Sequence, residues 1–425
     1  MKKVTAIFLS VLLAAASLAG CSGPGTSSQA SAAPQAAEGE TAELQFWTIS
    51  LQPKFTDFFN DLIKDYEKAH KNITIKWTDL PIATIQQKLI TSAAGGTSPD
   101  VVNLNTPMAL TMGGKKALVD LNSNASKEQR EIYIPSLYDA AKSGDAVYAF
   151  PWYASPRIMA YSKTLFQKAG ITEVPKTFDD MFQQAKTMKD KTGALLYVPS
   201  DLASLFFMDG VEMLNADKTK ATFNNAQTKE VFKKWKDAVD GGIVGKTGWG
   251  DYAARLQLFE TGKVAMLDGP GSMVSRIKDE APDVYANMGL TAPISGKTGL
   301  VYDGLMNVAV PSASKHVKEA VDFAAFVTND DSQLAFCKVV AVFPSTTKAS
   351  QDAYFTSDTS SLEGLARSIS AQVLPKSTDF SFGTDKQADI TAAINKIYEA
   401  SIEGFTDPDQ SFSEAENAVN EILAK

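Results

Sequence analysis

The stretch 146–162, which reads AVYAFPWYASPRIMAYS, constrains the fold more than any other part of the chain. It begins with the alternation typical of a strand, contains Pro151 and Pro156, and resumes as a second strand over residues 157–161. Each proline removes one backbone N–H donor, so two prolines this close are not expected in one central strand. The stretch therefore predicts a strand that leaves one sheet, a short bridge, and a second strand that enters another sheet.

Two large aromatic residues, Trp152 and Tyr153, lie on this predicted bridge. Aromatic side chains with polar tips at a crossover between two bodies are suited to a ligand cleft. The same side chains could instead fill a contact between two domains. This stretch alone leaves both interpretations open.

Length and composition limit the class of protein. A chain of 425 residues with 44% hydrophobic residues predicts soluble globular structure with two or more domains. The net charge of −8, without a basic block, argues against nucleic acid as a partner. The only histidines, His70 and His316, are far apart in sequence, and Cys337 lies in an apolar run typical of a core. No metal site and no cofactor are therefore expected.

The first twenty residues have the layout of a secretory signal. Two lysines precede the apolar run 4–18, which is too short for a comfortable membrane span. The run ends in LAGC, whose last residue is Cys21, and this tetrapeptide resembles the bacterial lipobox. Cys21 is then the lipid-modified first residue of the mature protein. The alternative is an ordinary signal sequence that is cleaved after small residues.

Residues 21–42 predict a flexible tether, because they are rich in Ser, Ala, Gly and Pro and almost free of large apolar side chains. A lipid anchor with such a tether holds a soluble body close to a membrane without inserting it. We therefore expect the protein at the extracytoplasmic face of the cell membrane.

From residue 43 onward, strand patterns alternate with helix patterns. Strands are predicted over 44–47, 73–77 and 100–104, and helices over 53–66 and 82–94. This alternation indicates an α/β sheet with helices on both faces. Ligands bind outside the carboxyl ends of strands in such sheets. Trp47 and Asn105, at two of these ends, are therefore candidate binding residues.

Two later segments predict further passages between bodies. The strand predicted over 298–310 contains Asp303 followed by Gly304, and a glycine within a strand suggests a bend. A third passage is predicted at 343–346, where FPST interrupts two helical patterns. Helices are also predicted at 202–214 and a strand at 195–198.

Two loops carry groups that could contact a ligand. The segment 247–252 places Trp249 and Asp251 among glycines. The turn that contains Gly269 leads into a helix, and free N–H groups at such a corner can meet a ligand oxygen, although a plain tight turn is equally consistent. Asp251, Asp268 and Asp303 leave a glycosidase carboxylate pair open, but nothing marks two of them as a pair.

Several segments together resemble the extracellular solute-binding proteins of bacterial ABC importers, in the maltose/multiple-sugar group. The segments that carry the resemblance are 98–106 (SPDVVNLNT), 147–170, 174–188, 259–271 (FETGKVAMLDGPG), 305–336 and 343–347 (FPSTT). No single segment identifies the family, but the order and spacing of the segments together are specific to it.

The resemblance implies two α/β lobes, each a mixed sheet flanked by helices, joined by three crossover segments. It assigns 43–151 and 306–345 to an N-terminal lobe, and 156–302 and 350–425 to a C-terminal lobe. It also implies a monomer without catalytic activity that captures a mono- or oligosaccharide between the lobes and delivers it to a membrane permease. A surface glycosidase, or a non-sugar solute bound on the same scaffold, are the alternatives.

The sugar site implied by this architecture needs rings for the apolar faces of a sugar and polar groups for its hydroxyls. The predicted stacking residues are Trp47, Trp152, Tyr153 and Trp249. The predicted hydroxyl partners are Gln52, Asn105, Asp251 and Asp303, with the backbone N–H of Gly269. Trp47 could instead be sheet core, Asp303 could brace the hinge, and Asp251 could cap a helix.

Overall fold

Strands and helices alternate along the computed structural model, which describes residues 41–384 and 386–425. The predicted signal sequence, Cys21 and most of the predicted tether lie outside the described residues. The strands are β1 Ala42–Ile49, β2 Ile73–Leu80, β3 Val101–Asn105, β4 Lys142–Ser143, β5 Ala146–Val147, β6 Phe150–Ser162, β7 Met266–Pro270, β8 Met288–Thr291, β9 Val301–Ala309, β10 Phe343–Pro344 and β11 Ser377–Thr378.

Helices flank these strands throughout the described chain. They are α1 Thr56–Ala69, α2 Ile82–Ala94, α3 Thr106–Gly114, α4 Leu121–Asn124, α5 Lys127–Arg130, α6 Pro135–Tyr138, α7 Lys163–Ala169, α8 Phe178–Thr192, α9 Leu202–Met208, α10 Ala226–Asp240, α11 Tyr252–Glu260, α12 Met273–Glu280, α13 Pro282–Asn287, α14 Val317–Val327, α15 Asp330–Val339, α16 Leu362–Val373, α17 Gln387–Tyr398 and α18 Pro408–Leu423.

The sheet of the first body, which we call the N-terminal lobe, has the strand order β10–β6–β9–β3–β1–β2. β1 is parallel to β2 and β3, whereas β9 is antiparallel to both β3 and β6. Side chains of β1 alternate between the two faces of the sheet. Leu44 and Phe46 pack with residues of α1 and α14, and Trp47 and Ile49 pack with residues of α2 and α3. The mixed sheet covered on both faces is as predicted.

The proline-containing stretch differs from its prediction, because Phe150–Ser162 is one continuous strand. Pro151 and Pro156 both pair with β9 on one side of β6. On the other side, β10 pairs only at 153–154 and β7 begins at Arg157, so neither proline is needed as a donor there. A register shift between Pro151 and Tyr153 also bends the strand. The predicted bridge is therefore a bulged part of a strand.

The second half of β6 builds the C-terminal lobe, where it pairs antiparallel with β7 and β8. Successive residues again face opposite sides of the sheet. Met159 joins an apolar core with Trp235 of α10 and Phe412 of α18, whereas Ile158 joins a core made by α11, α12 and α16. One strand thus belongs to both lobes, and it connects their strands into one nine-stranded sheet instead of leaving one sheet for another.

β9 is the second passage, as predicted, since its first residues pair with β11 and its later residues pair with β3. The third predicted passage follows β10. Phe343 and Pro344 still pair with β6 of the N-terminal lobe. The next long helix, α16, contacts β6, β8 and α12 of the C-terminal lobe. The predicted residue limits of the two lobes stay a prediction.

Two predicted elements are shorter in the structure. The helix predicted over 202–214 ends at Met208, because Gly210 adopts a left-handed conformation with φ of 76° that no helix can continue. The strand predicted over 195–198 is reduced to one bridge between Leu195 and Val264. Within the described residues, no helix combines the length and apolar character needed to cross a membrane.

Candidate functional site

A buried ion-pair network lies where β6 enters the C-terminal lobe. The carboxylate of Asp268 on β7 accepts from Nη1 of Arg157 on β6 at 2.6 Å and from Nη1 of Arg255 on α11 at 2.5 Å. The hydroxyl of Tyr197 donates to the same carboxylate at 3.0 Å. The network brings together four residues from four parts of the chain and holds each in one orientation.

The charge state of this network follows from its geometry. Burial alone raises the pKa of Asp268, but the guanidinium groups of Arg255 and Arg157 outweigh burial and lower that pKa below its ordinary value. Burial, and then the charge of Asp268, raises the pKa of Tyr197 well above its ordinary value. The carboxylate is therefore ionised and the phenol neutral, which leaves one net positive charge at the lobe boundary.

The guanidinium of Arg157 places positive charge beside the crossover strands. Its guanidinium lies 4.9 Å from the ring centre of Tyr302 on β9, and 22% of its side chain is exposed. Phe380 packs edge-on against Tyr302 at 5.5 Å and stacks on Phe207 at 5.2 Å. A cation and three neighbouring rings thus lie beside the strands that join the lobes, and such surfaces suit ligands that combine apolar faces with hydroxyls.

Two buried carboxylates lie next to these rings. Asp303 on β9 is fully buried and accepts a hydrogen bond of 2.6 Å from the backbone N–H of Ser155, while its second oxygen has no partner. Asp379 follows β11 and is buried, and hydrogen bonding from Thr106 and from the backbone of Leu305 acts to lower its pKa. Thr106 is the first residue of α3.

Burial makes both carboxyl groups weaker acids than an exposed aspartic acid. It raises the pKa of Asp379 to about 6. It raises the pKa of Asp303 well above the ordinary value, and the charge of Asp379 adds to that effect. Displaced pKa values at a buried, incompletely hydrogen-bonded position are typical of functional sites. We call Arg157, Tyr302, Asp303, Asp379 and Phe380 the crossover cluster.

Several residues predicted from the sequence adjoin the crossover cluster. Asn105 precedes Thr106, and its side chain caps α3 by accepting from the N–H of Met108 at 2.9 Å. Gly269 follows Asp268 on β7, and a Cβ there would lie 2.7 Å from Sδ of Met273 and 2.9 Å from the hydroxyl of Tyr252, so a larger residue requires these side chains to move. Asp303 belongs to the cluster, and its hydrogen bond to the neighbouring passage also fits the predicted alternative of a hinge brace.

The two tryptophans predicted as stacking platforms in the N-terminal lobe are core residues instead. Trp47 is 7% exposed and packs with Ile85 and Leu89 of α2. Trp152 is 1% exposed and stacks on Phe336 at 5.4 Å. Both rings are enclosed because apolar helices cover both faces of this sheet. For Trp47 the alternative of sheet core is the one that the structure supports.

Tyr153 and Gln52 lie at the edge of the N-terminal lobe. Tyr153 is half-buried on β6 and packs against Trp152 and Phe336. Gln52 is held after β1 by its backbone N–H, which donates to the carboxylate of Asp79 at 3.0 Å, so its side chain stays free of that contact.

Trp249 lies in the C-terminal lobe beside a cavity, and Asp251 follows it two residues later. Trp249 stacks on Tyr398 at 4.2 Å, and the two rings line a cavity of about 190 Å³ together with Asp201. Asp251 caps α11 by accepting from the N–H of Ala254 at 3.0 Å. The capping role that the sequence left open for Asp251 is therefore present.

Arg157, Tyr302, Asp379 and Phe380 were not among the predicted site residues. Tyr302 directly precedes Asp303, so the glycine-containing crossover pattern could have indicated it. Asp379 and Phe380 lie in a loop without a recognisable motif, and only the folded chain brings them to β9.

A family model described as bacterial extracellular solute-binding protein matches residues 61–362. This chain belongs to that family. The diacetylchitobiose-binding protein DasA of Streptomyces coelicolor is 29% identical over 346 residues, which cover 77% of this chain and 78% of the relative. An uncharacterised ABC transporter extracellular-binding protein of Pyrococcus horikoshii is 24% identical over 311 residues, or 65% of this chain and 67% of the relative.

Solved structures agree on the fold. A protein from Synechococcus sp. MITs9220, named as an oligosaccharide periplasmic-binding protein, has 29% identity and a TM-score of 0.81, and the match covers 90% of this chain and 99% of that one. The sugar-binding protein MalE from Xanthomonas citri has 19% identity and a TM-score of 0.77, over 90% and 98% of the two chains. The predicted two-lobed, periplasmic-binding-protein-like α/β fold is confirmed.

Proposed function

We propose that this chain captures a mono- or oligosaccharide between its two lobes and delivers it to the permease subunits of an ABC importer. The observation that carries the proposal is the crossover cluster, in which rings, a guanidinium and buried carboxylates meet beside the strands that join the lobes. The names of the relatives from Streptomyces and Synechococcus, which refer to diacetylchitobiose and to oligosaccharide, support the same class of ligand.

The chemistry of the cluster suits a sugar. The C–H face of a pyranose packs on the rings of Tyr302 and Phe380, and its hydroxyls donate to Asp379 and accept from Arg157. The unpaired oxygen of Asp303 is a further acceptor. No step of bond cleavage is proposed, and the relatives are binding proteins.

The remaining predicted contacts are proposed to belong to the same sugar site. Gln52, Asn105 and Tyr153 are proposed to face the sugar from the N-terminal lobe, and Gly269 from the C-terminal lobe.

A longer ligand is proposed to reach the second cavity. The charge of Asp201 helps to raise the pKa of Tyr302, after burial and the charge of Asp379, so Asp201 lies near the cluster. Asp201 also lines the cavity that contains Trp249. We therefore propose Trp249 and Asp251 as contacts for the distal units of an oligosaccharide.

Ligand binding is proposed to favour the closed arrangement of the lobes. Asn105 and Tyr153 are proposed contacts on one lobe and Gly269 is a proposed contact on the other, so a ligand that touches both lobes gains affinity only when they approach. The binding free energy then shifts the equilibrium toward closure without any chemical reaction.

The sugar proposal is tested by a thermal-shift screen over a sugar library, followed by calorimetry on the sugars that raise the melting temperature. Tyr302→Ala is expected to weaken binding about tenfold or more, which corresponds to about 1.4 kcal/mol, because it removes a stacking surface. Tyr302→Phe is expected to retain most of the affinity. Phe405→Ala, at a ring that is 86% exposed and outside the cluster, is the matched control.

Failure of every sugar, together with tight binding of another solute class, would refute the sugar proposal. Recovery of the bound sugar unchanged after long incubation distinguishes a binding protein from a glycosidase.

We also propose that Cys21 carries the lipid anchor, that residues 21–42 are the tether, and that the body is a monomer. Cys21→Ser is expected to move the protein from the membrane fraction to the soluble extracytoplasmic fraction. Cys337→Ala, at the free and buried cysteine of the described chain, is the control that keeps the membrane location. Equal membrane association of Cys21→Ser and the unchanged protein would contradict the anchor.

A further inference from the structure

One cavity between the lobes lies apart from the proposed sugar contacts. It is a cavity of about 180 Å³ between the end of α15 and β10, in the N-terminal lobe, and the start of α12 and the middle of α16, in the C-terminal lobe. The residues that carry the following argument all line it: Gly271, Lys338, Arg367 and Ser370. None of the proposed sugar contacts is among its lining residues.

Backbone and hydroxyl donors meet on one wall of this cavity. Helix α12 begins there, and its N-cap residue Ser272 makes no side-chain capping hydrogen bond. The N–H groups of Val274 and Arg276 donate to the backbone carbonyls of Gly271 and Ser272. The start of the helix therefore offers the N–H groups of Met273 and Ser275, with the partial positive charge of a helix N-terminus. The hydroxyl of Ser370 is fully buried without a hydrogen-bond partner, and lies 3.8 Å from the position of a Cβ on Gly271. A buried hydroxyl without a partner indicates that a ligand or ion supplies one.

Two cationic side chains, one from each lobe, also line the cavity. The guanidinium of Arg367 lies over the ring of Tyr354 at 4.5 Å, its Nε has no partner, and its contact with Asp358 is long, at 4.0 Å. Lys338 approaches from the last turn of α15, on the opposite lobe. Much of the hydrogen-bonding capacity of the guanidinium is thus unused within the protein.

The carboxylate that lines the cavity is already neutralised. Glu363 pairs with the ammonium of Lys278 at 3.0 Å and accepts from the hydroxyl of Tyr285 at 2.8 Å. It therefore adds little negative charge to the wall formed by Arg367 and the start of α12.

We propose that this cavity binds a small tetrahedral oxyanion, phosphate or sulfate. Helix N-termini supplemented by an arginine are suited to such anions, because N–H groups and a planar guanidinium match their oxygen atoms. A cavity of about 180 Å³ has room for one oxyanion and a few waters. Because the walls come from both lobes, the anion biases their relative position, and this proposal does not depend on the identity of the sugar.

The experiment titrates sodium phosphate, and separately sodium sulfate, into the full-length protein, with sodium chloride used to hold the ionic strength constant. A saturable rise in melting temperature, and a saturable heat in calorimetry, are expected for at least one of the two anions. Arg367→Gln is expected to raise the dissociation constant at least tenfold, and Ser370→Ala severalfold. Arg276→Gln is the matched control, because Arg276 is exposed on α12, pairs with Glu280 and does not line the cavity.

Lys338→Gln gives an independent test on an exposed residue of the other lobe, where folding is not at risk, and weaker anion binding is again expected. A response to phosphate and sulfate no greater than that to chloride would overturn the proposal. Equal affinity in Arg367→Gln, Lys338→Gln and the unchanged protein would overturn it as well.

Discussion

Replacing Asp268 with alanine is expected to lower the free energy of unfolding by about 3–5 kcal/mol, because it leaves the buried guanidinium of Arg255 and the half-buried guanidinium of Arg157 without a counter-charge. Arg255 and Arg157 both lie within 2.6 Å of this carboxylate, and Tyr197 donates to it as well. Without the carboxylate, all three groups lose this hydrogen-bond partner. Urea denaturation of the variant and the unchanged protein at neutral pH measures the difference.

Two matched substitutions separate burial from charge in this prediction. Asp190→Ala removes an exposed carboxylate that pairs with Lys186 four residues away on the same helix, and a loss of about 0.5 kcal/mol or less is expected. Asp251→Ala removes a helix cap, which typically contributes about 1 kcal/mol. If Asp268→Ala lost no more stability than Asp251→Ala, the network would not be a stabilising centre of this lobe.

Asp268→Ala is also expected to affect the proposed sugar site. Asp268 fixes Arg157, and Arg157 lies over the ring of Tyr302. Any folded fraction of Asp268→Ala is therefore expected to bind sugar more weakly than the unchanged protein, although Asp268 itself is enclosed.

Local signals explain which elements were predictable from the sequence. The helix at Ile82–Ala94 has the predicted limits, because apolar periodicity and the glycines that follow it act within a few residues. The strand Phe150–Ser162 was predicted as two pieces, since the sequence cannot show that each proline meets an unpaired side of the strand.

Long-range pairing explains what the sequence could not indicate. Arg157 and Asp268 are 111 residues apart, and nothing near either residue marks the other. Trp152 is an aromatic residue at a crossover, yet its ring turns into the core of the N-terminal lobe because the bulge at Pro151 and Tyr153 sets its direction. Sequence therefore predicted where the lobes join better than which side chains face the groove.

Replacing Asp379 with asparagine is expected to stabilise the protein at pH 7.5, contrary to the usual effect of a change at a buried polar residue. Burial raises the pKa of Asp379 to about 6 from an ordinary value of 3.8. The folded state therefore prefers the protonated acid. Its stabilising contribution is complete below pH 3.8 and is lost as the pH rises through about 6. Each pKa unit corresponds to about 1.4 kcal/mol, so the ionised carboxylate costs about 3 kcal/mol at pH 7.5.

Asparagine is neutral at every pH, and it retains an oxygen that can accept from Thr106 or Leu305. Denaturation of Asp379→Asn and the unchanged protein is expected to give similar free energies of unfolding at pH 4. At pH 7.5 the variant is expected to be more stable by about 1–3 kcal/mol. Asp190→Asn, on an exposed helix face, is the control and is expected to give the profile of the unchanged protein.

Asp379→Asn is also expected to change the affinity for sugar. Asp379 is a proposed sugar contact, so the asparagine variant is expected to bind sugar at least tenfold more weakly at pH 7.5 while being more stable. A residue that reduces stability and increases affinity is typical of a binding site rather than of a core. If Asp379→Asn were less stable at pH 7.5, or bound sugar as well as the unchanged protein, Asp379 would be a structural link between the lobes and not a ligand contact.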